Sequence, residues 1–273
     1  MNTLKNHVIV YDEECPMCQL YTGAFIKTEM LDKNGRIPYH KLMENPPPQI
    51  DMHLACNEIA LINTDSQEVT YGKDSLFKII GNSFPIFQSL FANKIFRFGI
   101  DKVYAFISLN RKVIAPGKHF EEPNSCTPDF SLTYRWLYIG LVWLFISWIV
   151  GAFAQLLVHL VSQGSFRREL LICGGPILWQ GALMFFLKKD RIVHYLGNMM
   201  TVSLIGAVLL IPAILAGSFY PEIPQIILLA YFCGVVSFML IEHMRRVKIL
   251  EIHWIASLSW VLYRVFVLMI ILL

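Results

Sequence analysis

Apolar residues are distributed unevenly along this chain of 273 residues. Up to about Pro128, short apolar runs alternate with charged residues and prolines, whereas after Tyr134 the sequence becomes a series of long apolar blocks. A helix that crosses a bilayer needs about 20 mainly apolar residues. The blocks that meet or approach this length are Trp136–His159, Leu170–Leu187, Leu196–Leu215, Ile226–Ile241 and Trp254–Leu273. The pattern predicts an all-α polytopic membrane bundle of about five helices.

The first half of the chain has the shorter apolar runs of an α/β domain. Val8–Tyr11 is apolar and ends in turn-like residues, which is typical of a strand, and a helical pattern follows from Cys15 to about Leu31. A second strand in "GRIPYHKL", a hairpin in "NEIALINTDSQEVTYG" and helices at 73–80 and 101–111 complete the order βαβ…ββα. This order predicts a small sheet with helices packed on it.

Composition divides the chain into three parts. The predicted domains are an α/β domain at 1–117, a linker at 118–133 and a membrane domain at 134–273. Within the first part, large apolar residues recur at helical spacing from Pro85 to Phe98. They can form the core face of a helix, or they can form a helix that lies on the membrane surface.

Charge indicates an orientation and gives no reason to expect a nucleic-acid partner. The formal net charge is only +3. Basic residues are most frequent in the second and fourth connectors, "KKDRIVHY" and "EHMRRVKILEIH". With an odd number of helices, these two connectors lie on the same side of the membrane as the amino terminus. Because basic loops tend to stay in the cytoplasm, the amino-terminal domain is predicted to be cytoplasmic, attached to the inner membrane. The first residues contain no apolar core long enough for a signal peptide, which agrees with this prediction.

Candidate chemistry is concentrated in residues 8–21, "VIVYDEECPMCQLY". With Cys15 at the start of a helix and Pro16 in its first turn, the Cys15 sulfur faces backbone N–H groups and the positive end of the helix dipole. Both favour the thiolate, so Cys15 can attack a partner's disulfide. Cys18, one turn further on, can then resolve the mixed disulfide. We expect this helix to be accessible to solvent, with the two sulfurs adjacent.

Three acids precede the cysteines. Negative charge near Cys15 raises the pKa of its thiol and opposes the helix dipole. Asp12 is therefore interpreted as a helix cap or as the group that takes a proton from the resolving thiol, with Glu13 and Glu14 directed to water. A plain polar turn is the alternative for all three acids.

The other four cysteines do not have the spacing of a disulfide framework. A CxxC pair can also form half of a structural zinc site, but zinc needs four ligands. Only isolated residues such as Cys56, His53 or Cys126 are left to complete such a site. We therefore expect no metal and no cofactor beyond the redox-active pair Cys15–Cys18.

The stretch at residues 8–21 resembles the opening of the DCC family of thiol-disulfide oxidoreductases, named for its Asp-x-x-Cys-x-x-Cys motif. The matching residues are Asp12, Cys15, Pro16 and Cys18. Two later segments, "VTYGKDSLFKII" and "VYAFISLNRKVI", resemble the family's strand–glycine–helix and Tyr…Asn-Arg segments, so the resemblance covers about residues 7–117. It implies a thioredoxin-like fold and disulfide exchange. The chain departs from ordinary thioredoxins in having no proline immediately before the "NEIALIN" strand.

Four further residues are weaker candidates. Arg264 lies midway along the last apolar block, where it can line a cavity, bind an anion, pair with a carboxylate or act as a structural anchor. Cys173 and Cys233 can form an intramembrane dithiol that carries reducing equivalents outward, or they can be small residues in packed helices. Cys126 can be a third partner of the Cys15–Cys18 pair.

The sequence therefore predicts a bilayer-anchored thiol-disulfide oxidoreductase that exchanges disulfides with protein thiols. Cys15 is the nucleophile, Cys18 the resolving thiol and Asp12 an assisting group. In a reducing cytoplasm the pair would rest as the dithiol, which favours reduction of partners. The alternative is a membrane protein without enzymatic activity, in which a transporter-like bundle carries a redox-sensing or docking domain.

Overall fold

The structure is a computed structural model that describes residues 2–117, 126, 128–158, 160, 165–220 and 222–272. The chain divides into two compact units, Met1–Tyr134 and Arg135–Leu273. Most of the predicted linker, 118–125 and 127, lies outside the described residues.

The first unit contains a four-stranded sheet. Its strands are β1 (His7–Tyr11), β2 (Arg36–Pro38), β3 (Ala60–Asn63) and β4 (Val69–Tyr71), in the order β2-β1-β3-β4. β1 is parallel to β2 and antiparallel to β3, and β3 is antiparallel to β4. The parallel pair needs a crossover connection, and helix α1 (Pro16–Lys27) lies within it. The predicted small α/β sheet is confirmed.

The two central strands are covered on both faces. Because successive side chains of a strand point to opposite faces, Val10 and Ile62 lie in one apolar cluster while Ile9 and Leu61 lie in the other. Phe25 of α1 packs in the second cluster. Burial on both faces explains why these short strands are almost entirely apolar.

Five further helices complete the first unit. They are α2 (Tyr39–Glu44), α3 (Met52–Asn57), α4 (Gly72–Ser83), α5 (Gln88–Ala92) and α6 (Lys94–Ile114). The strand predicted across "GRIPYHKL" ends at Pro38, whose ring nitrogen has no hydrogen to donate to a ladder, and α2 begins there instead. The unpredicted α3 follows the proline-rich loop and is capped by Asp51, whose carboxylate accepts the Leu54 N–H at 3.0 Å.

The apolar stripe from Pro85 to Phe98 is not one helix. Pro85–Phe87 is a single 3₁₀ turn that leads into α5. Helix α5 ends before Asn93. The Asn93 side chain accepts the N–H groups of Ile95 and Phe96 at 2.9 and 3.1 Å and so starts α6. The prediction of one continuous helical stripe is wrong, because this cap begins a new helix inside it.

The second unit is helical. Its helices are α7 (Leu132–Ala154), α8 (Phe166–Leu187), α9 (Ile192–Phe219), α10 (Gln225–Ile249) and α11 (Ile255–Leu272). Within the described residues, four helical segments are long and apolar enough to cross a membrane: Leu132–Leu157, Phe166–Leu187, Lys189–Phe219 and Gln225–Ile249. Helix α11 is apolar but shorter, with a length of about 27 Å. The prediction of about five spans is therefore corrected to four candidate spans and one shorter helix.

Buried polar side chains connect the helices of the second unit. The Tyr195 hydroxyl on α9 donates to Gln180 Oε1 of α8 at 3.0 Å and lies 3.0 Å from His243 Nε2 of α10. His243 Nδ1 is 3.2 Å from the Ser257 hydroxyl of α11. Interhelical hydrogen bonds of this kind hold apolar helices in a fixed arrangement.

Candidate redox site

The two CxxC sulfurs lie at the start of α1, next to the end of β1. Cys15 is the N-cap residue, with φ −91° and ψ 106°, and Pro16 occupies the first helical position. The Cys18 N–H donates to the Cys15 sulfur at 3.3 Å. One turn of helix therefore brings the two sulfurs together, as the sequence predicts.

The pKa values of the two thiols move in opposite directions. The hydrogen bond from the Cys18 side chain lowers the pKa of Cys15 to about 7, against the effect of burial. The Cys18 backbone N–H and the charge of Arg111 lower it further, while the charge of Asp12 raises it. The pKa of Cys18 is raised by its hydrogen bond to the Cys15 sulfur and by burial. The anion of this coupled pair consequently resides on Cys15 and the proton on Cys18.

The two cysteines are less accessible than the sequence predicts. Cys15 is only 6% exposed and Cys18 only 5% exposed. Part of the cover comes from the chain after α6, where Gly117 packs against the Glu14 carbonyl so closely that a Cβ would come within 1.6 Å of the oxygen. The correction follows from this long-range contact, which no local pattern reveals.

Asp12 lies beside the site but does not cap α1. Its Oδ1 accepts the N–H of Glu14 at 3.0 Å, and its backbone carbonyl accepts the N–H of Cys15 at 3.3 Å. Its Oδ2 lies 3.6 Å from Arg111 Nη2. The cap prediction for Asp12 is therefore wrong, since Cys15 itself fills the N-cap position.

The other two acids are not simply directed to water. Glu13 forms an ion pair with His40, with 2.5 Å between Oε1 and Nδ1. Both Glu13 and Glu14 are half-buried. The turn between β1 and α1 is thus packed into the domain.

Arg111, on the last turn of α6, lies beside the candidate site, and sequence reasoning did not name it. Its buried guanidinium donates to the carbonyls of Cys56 at 2.6 Å and Asn57 at 3.1 Å, and Nη2 lies 3.4 Å from the Cys126 sulfur. The same Nη2 faces Asp12. The Asn-Arg pair within "VYAFISLNRKVI" was the signal that could have identified it.

Cys56 and Cys126 form a disulfide. Both are buried in the apolar cluster on the β1 face that contains Val10. The expectation that the other four cysteines contain no disulfide framework is therefore wrong for Cys56 and Cys126, and so is the alternative that Cys126 is a third partner of Cys15 and Cys18. The two residues are 70 positions apart, so their spacing carries no signal.

The disulfide also occupies two of the residues considered for zinc. His53 lies apart from them, 3.4 Å from Asp129. In the part of the chain that the structure describes, no group of three or more histidine, cysteine or acidic side chains could hold a metal ion.

The weaker candidates in the second unit lie on three different helices, α8, α10 and α11. Cys173 on α8 is half-buried and Cys233 on α10 is exposed, and both are free cysteines. The guanidinium of Arg264 stacks 3.3 Å from the centre of the Trp260 ring. Among the described residues its Nη1 has no hydrogen-bond partner, so the structure supplies no carboxylate for that atom.

Comparison of the chain with protein-family models, with curated proteins and with solved structures gave no match. Its function is therefore inferred from its own geometry.

Proposed function

We propose that the first unit is a thiol-disulfide oxidoreductase attached to a membrane by the second. The observation that carries this proposal is the position of Cys15 at the start of α1, where the sulfur accepts the Cys18 N–H and its pKa is lowered to about 7. A thiol with this pKa is partly ionised at neutral pH and is therefore a competent nucleophile.

The reaction conserves atoms and electrons within two exchanges. The Cys15 thiolate attacks a disulfide of a partner protein, forms a mixed disulfide and expels one partner thiolate. Cys18 then gives up its proton and attacks the Cys15 sulfur, which releases the second partner thiolate. Two electrons have passed to the partner, the Cys18 proton ends on a released thiolate, and Cys15–Cys18 is left as a disulfide. A thiol reductant is needed to restore the dithiol.

Asp12 is proposed to assist the second exchange. The Cys18 proton must leave before that thiol can attack. In the dithiol form, the pKa of Cys18 is raised by its hydrogen bond to the Cys15 sulfur and by burial. Formation of the mixed disulfide removes the Cys15 anion and with it the main cause of the raised pKa. Asp12, three residues before Cys15, is proposed to take that proton directly or through a water molecule.

The fold is consistent with a thioredoxin-like domain. The order β2-β1-β3-β4, with α1 crossing between two parallel strands, agrees with the βαβ…ββα order predicted from the sequence pattern, and the DCC resemblance implies a thioredoxin-like fold. At the position before β3, where ordinary thioredoxins carry a proline, the Ile59 N–H donates to the Tyr104 hydroxyl at 3.1 Å. We infer that Tyr104 takes part in shaping this edge of the site.

The first unit is proposed to lie on the cytoplasmic side of an inner membrane. With four spans, the connector after Leu187 and the segment after Ile249 lie on the same side as the amino terminus, and these are the basic ones. The orientation therefore does not depend on α11. The Cys56–Cys126 disulfide would have to survive in a reducing compartment, and its burial restricts access by soluble thiols.

One observation favours the alternative of a redox-sensing or docking domain without turnover. Both CxxC cysteines are almost fully buried, and a catalytic cysteine must be reached by its partner. Turnover with a protein disulfide distinguishes the two functions, because a sensor changes its own redox state without repeated release of reduced product.

A trapping experiment tests the proposed function. The full chain with Cys18→Ser, in nanodiscs, should accumulate mixed disulfides through Cys15, identified by mass spectrometry of non-reduced peptides. Cys15→Ser/Cys18→Ser is the matched control and should trap nothing. If the single variant traps no more than the control does, the proposed exchange is wrong.

A further inference from the structure

A large apolar surface of the first unit faces outward. Ile86 is 81% exposed and Ile95 is 84% exposed, although both side chains are large and apolar. The surface consists of six apolar residues that are each at least 36% exposed: Phe84, Ile86, Phe87, Leu90, Ile95 and Phe98. We call this surface the 84–98 face. Exposed apolar surfaces of this kind mark interaction sites in folded proteins.

The rings beneath this face are firmly packed. Phe91 of α5 stacks on Phe77 of α4 with 4.3 Å between ring centres, and Phe96 of α6 stacks next to both. Arg97 is fixed by Asp74 at 2.7 Å. The segment thus has its own core contacts, and the six outward side chains are additional to them.

Neighbouring contacts join the residues into one surface. The Phe84 and Phe87 rings are 6.2 Å apart, and the Phe87 and Phe91 rings are 6.0 Å apart. Further along, Lys102 lies over the Phe98 ring at 5.5 Å. The face therefore runs from the 3₁₀ turn through α5 onto α6.

The charges around this face are basic. Residues 84–100 contain Lys94 and Arg97 and no acid. The first acid beyond them, Asp101, forms an ion pair with Lys73. Lys94 and Lys102 are exposed, so the charge that the face offers to a partner is positive.

We propose that the 84–98 face lies on the surface of the bilayer, with its apolar side chains among the lipid headgroups and Lys94 and Lys102 near anionic phosphates. Large apolar side chains beside exposed lysines form the pattern that binds anionic membrane surfaces. The occupant follows from the chain itself, because four candidate spans place a membrane within reach. Cys126 is joined to Cys56 of the first unit, so only the five residues from 127 to 131 separate it from α7, and they can extend at most about 18 Å. The proposal is independent of the redox chemistry.

Photo-crosslinking tests this proposal in the full chain. Ile95→benzoylphenylalanine, in nanodiscs that contain anionic phospholipid, should form lipid adducts in at least several-fold higher yield than the same replacement at Leu20. Leu20 is 76% exposed on α1 and is the matched control. Lys94→Glu/Lys102→Glu should reduce the adducts at position 95 several-fold. Equal yields at positions 95 and 20, or adducts only with protein, would overturn the proposal.

A second inference concerns Arg111 and rests on the proposed function. One guanidinium touches the carbonyl of Cys56, the sulfur of Cys126 and the carboxylate of Asp12. Two of these three groups belong to the disulfide, and the third belongs to the turn that carries Cys15. Arg111 therefore connects the two cysteine pairs physically.

We propose that Arg111 is a positioning residue through which the Cys56–Cys126 disulfide controls the reactivity of Cys15. A dithiol reductant would supply two electrons and two protons, break the Cys56–Cys126 bond and leave two thiols. Cys126 would then no longer be covalently held to α3, and the guanidinium would lose a fixed contact. With the positive charge less well placed, Cys15 would become a weaker nucleophile.

The rate at which iodoacetamide modifies Cys15 reads this effect without turnover. In Cys56→Ser/Cys126→Ser and in Arg111→Met the rate at pH 7 should fall several-fold, while at pH 10 it should match the native rate. Arg111→Lys should restore part of the rate. Mild reduction of the native chain is the control for folding, and it should have the same effect as the double variant. The titratable and charged groups that face the two sulfurs are Asp12, Tyr21, Tyr104, Arg111 and Lys112.

Two outcomes would overturn the coupling. If Arg111→Met slows the modification but loss of the disulfide does not, Arg111 acts independently of Cys56 and Cys126. If none of the changes alters the pH dependence, Arg111 is only structural. Failure of the proposed function has a different signature, because mixed disulfides would not form although Cys15 reacted with iodoacetamide.

Discussion

The two cysteine pairs of the first unit differ in how the chain brings them together. Cys15 and Cys18 are free and share one helical turn, where backbone N–H groups and a nearby cation stabilise an anion. Cys56 and Cys126 are 70 residues apart and are joined inside an apolar cluster. The first arrangement favours reactivity, whereas the second favours stability, because closing a long loop restricts the unfolded chain.

The comparison teaches that spacing reveals only one kind of cysteine site. A reactive pair of this kind lies at the start of one helix, so its two cysteines are close together in the sequence and their spacing can be recognised. A structural disulfide needs only that the fold bring two positions together. The difference can be tested by removing each pair in turn.

The largest expected effect is on turnover. Cys15→Ser should lower the rate of protein-disulfide reduction by about three orders of magnitude or more, because the nucleophile is lost. Cys56→Ser/Cys126→Ser should keep measurable turnover. The rate is measured with the full chain in nanodiscs and a disulfide-containing model protein. If the two variants were equally inactive, the assignment of separate roles would be wrong.

The next effect is on stability and has the opposite pattern. Loss of the Cys56–Cys126 bond should lower the free energy of unfolding of the first unit by about 2–4 kcal/mol. Cys15→Ser/Cys18→Ser is the matched control, because it removes no disulfide from the dithiol form. It should lower the free energy of unfolding by less. Hydrogen exchange of the β1 and β3 amides measures both. Equal losses would mean that the disulfide adds no stability of its own.

A smaller change tests the cover over the reactive pair. Gly117→Ala places a Cβ where it would meet the Glu14 carbonyl, so the segment after α6 must shift. We expect a loss of about 1–3 kcal/mol in stability and faster modification of Cys15. Gly99→Ala is the control, since a Cβ there meets no atom within 4 Å. Unchanged access to Cys15 would show that this segment does not cover it.

The smallest effect concerns the charge of Asp12. That charge raises the pKa of Cys15, so Asp12→Asn should lower the pKa. With a pKa of about 7, roughly a tenth of the thiol is ionised at pH 6, so a lower pKa raises the ionised fraction and with it the rate of modification at that pH. The second exchange should become slower if Asp12 accepts the Cys18 proton. A rate at pH 6 that fell would contradict the sign of this argument.

Local features of the fold were predictable from the sequence, whereas distant contacts were not. The apolar run at β1 and the helix start at Cys15 and Pro16 depend on neighbouring residues, and both lie where the pattern places them, although Cys15 rather than Asp12 is the cap. Arg111 and Asp12 are 99 positions apart in the sequence, so the residues around each of them do not predict their contact. The cap at Asn93 and the helix after Pro38 were missed because an apolar pattern alone does not show where one element ends.

The membrane half shows the same limit. Length and apolarity identify the four candidate spans, and within the described residues α11 is shorter than these. The interhelical contacts of Tyr195 and His243 depend on which faces pack together, which block boundaries do not reveal.

The pH dependence of the reaction of Cys15 with iodoacetamide tests the central claim most directly. The measurement uses the native full chain with the Cys56–Cys126 bond intact, and mass spectrometry follows position 15 alone. The account predicts a half-maximal rate near pH 7, because the first turn of α1 stabilises the thiolate. A half-maximal rate near pH 9, the ordinary value for a cysteine thiol, would contradict it.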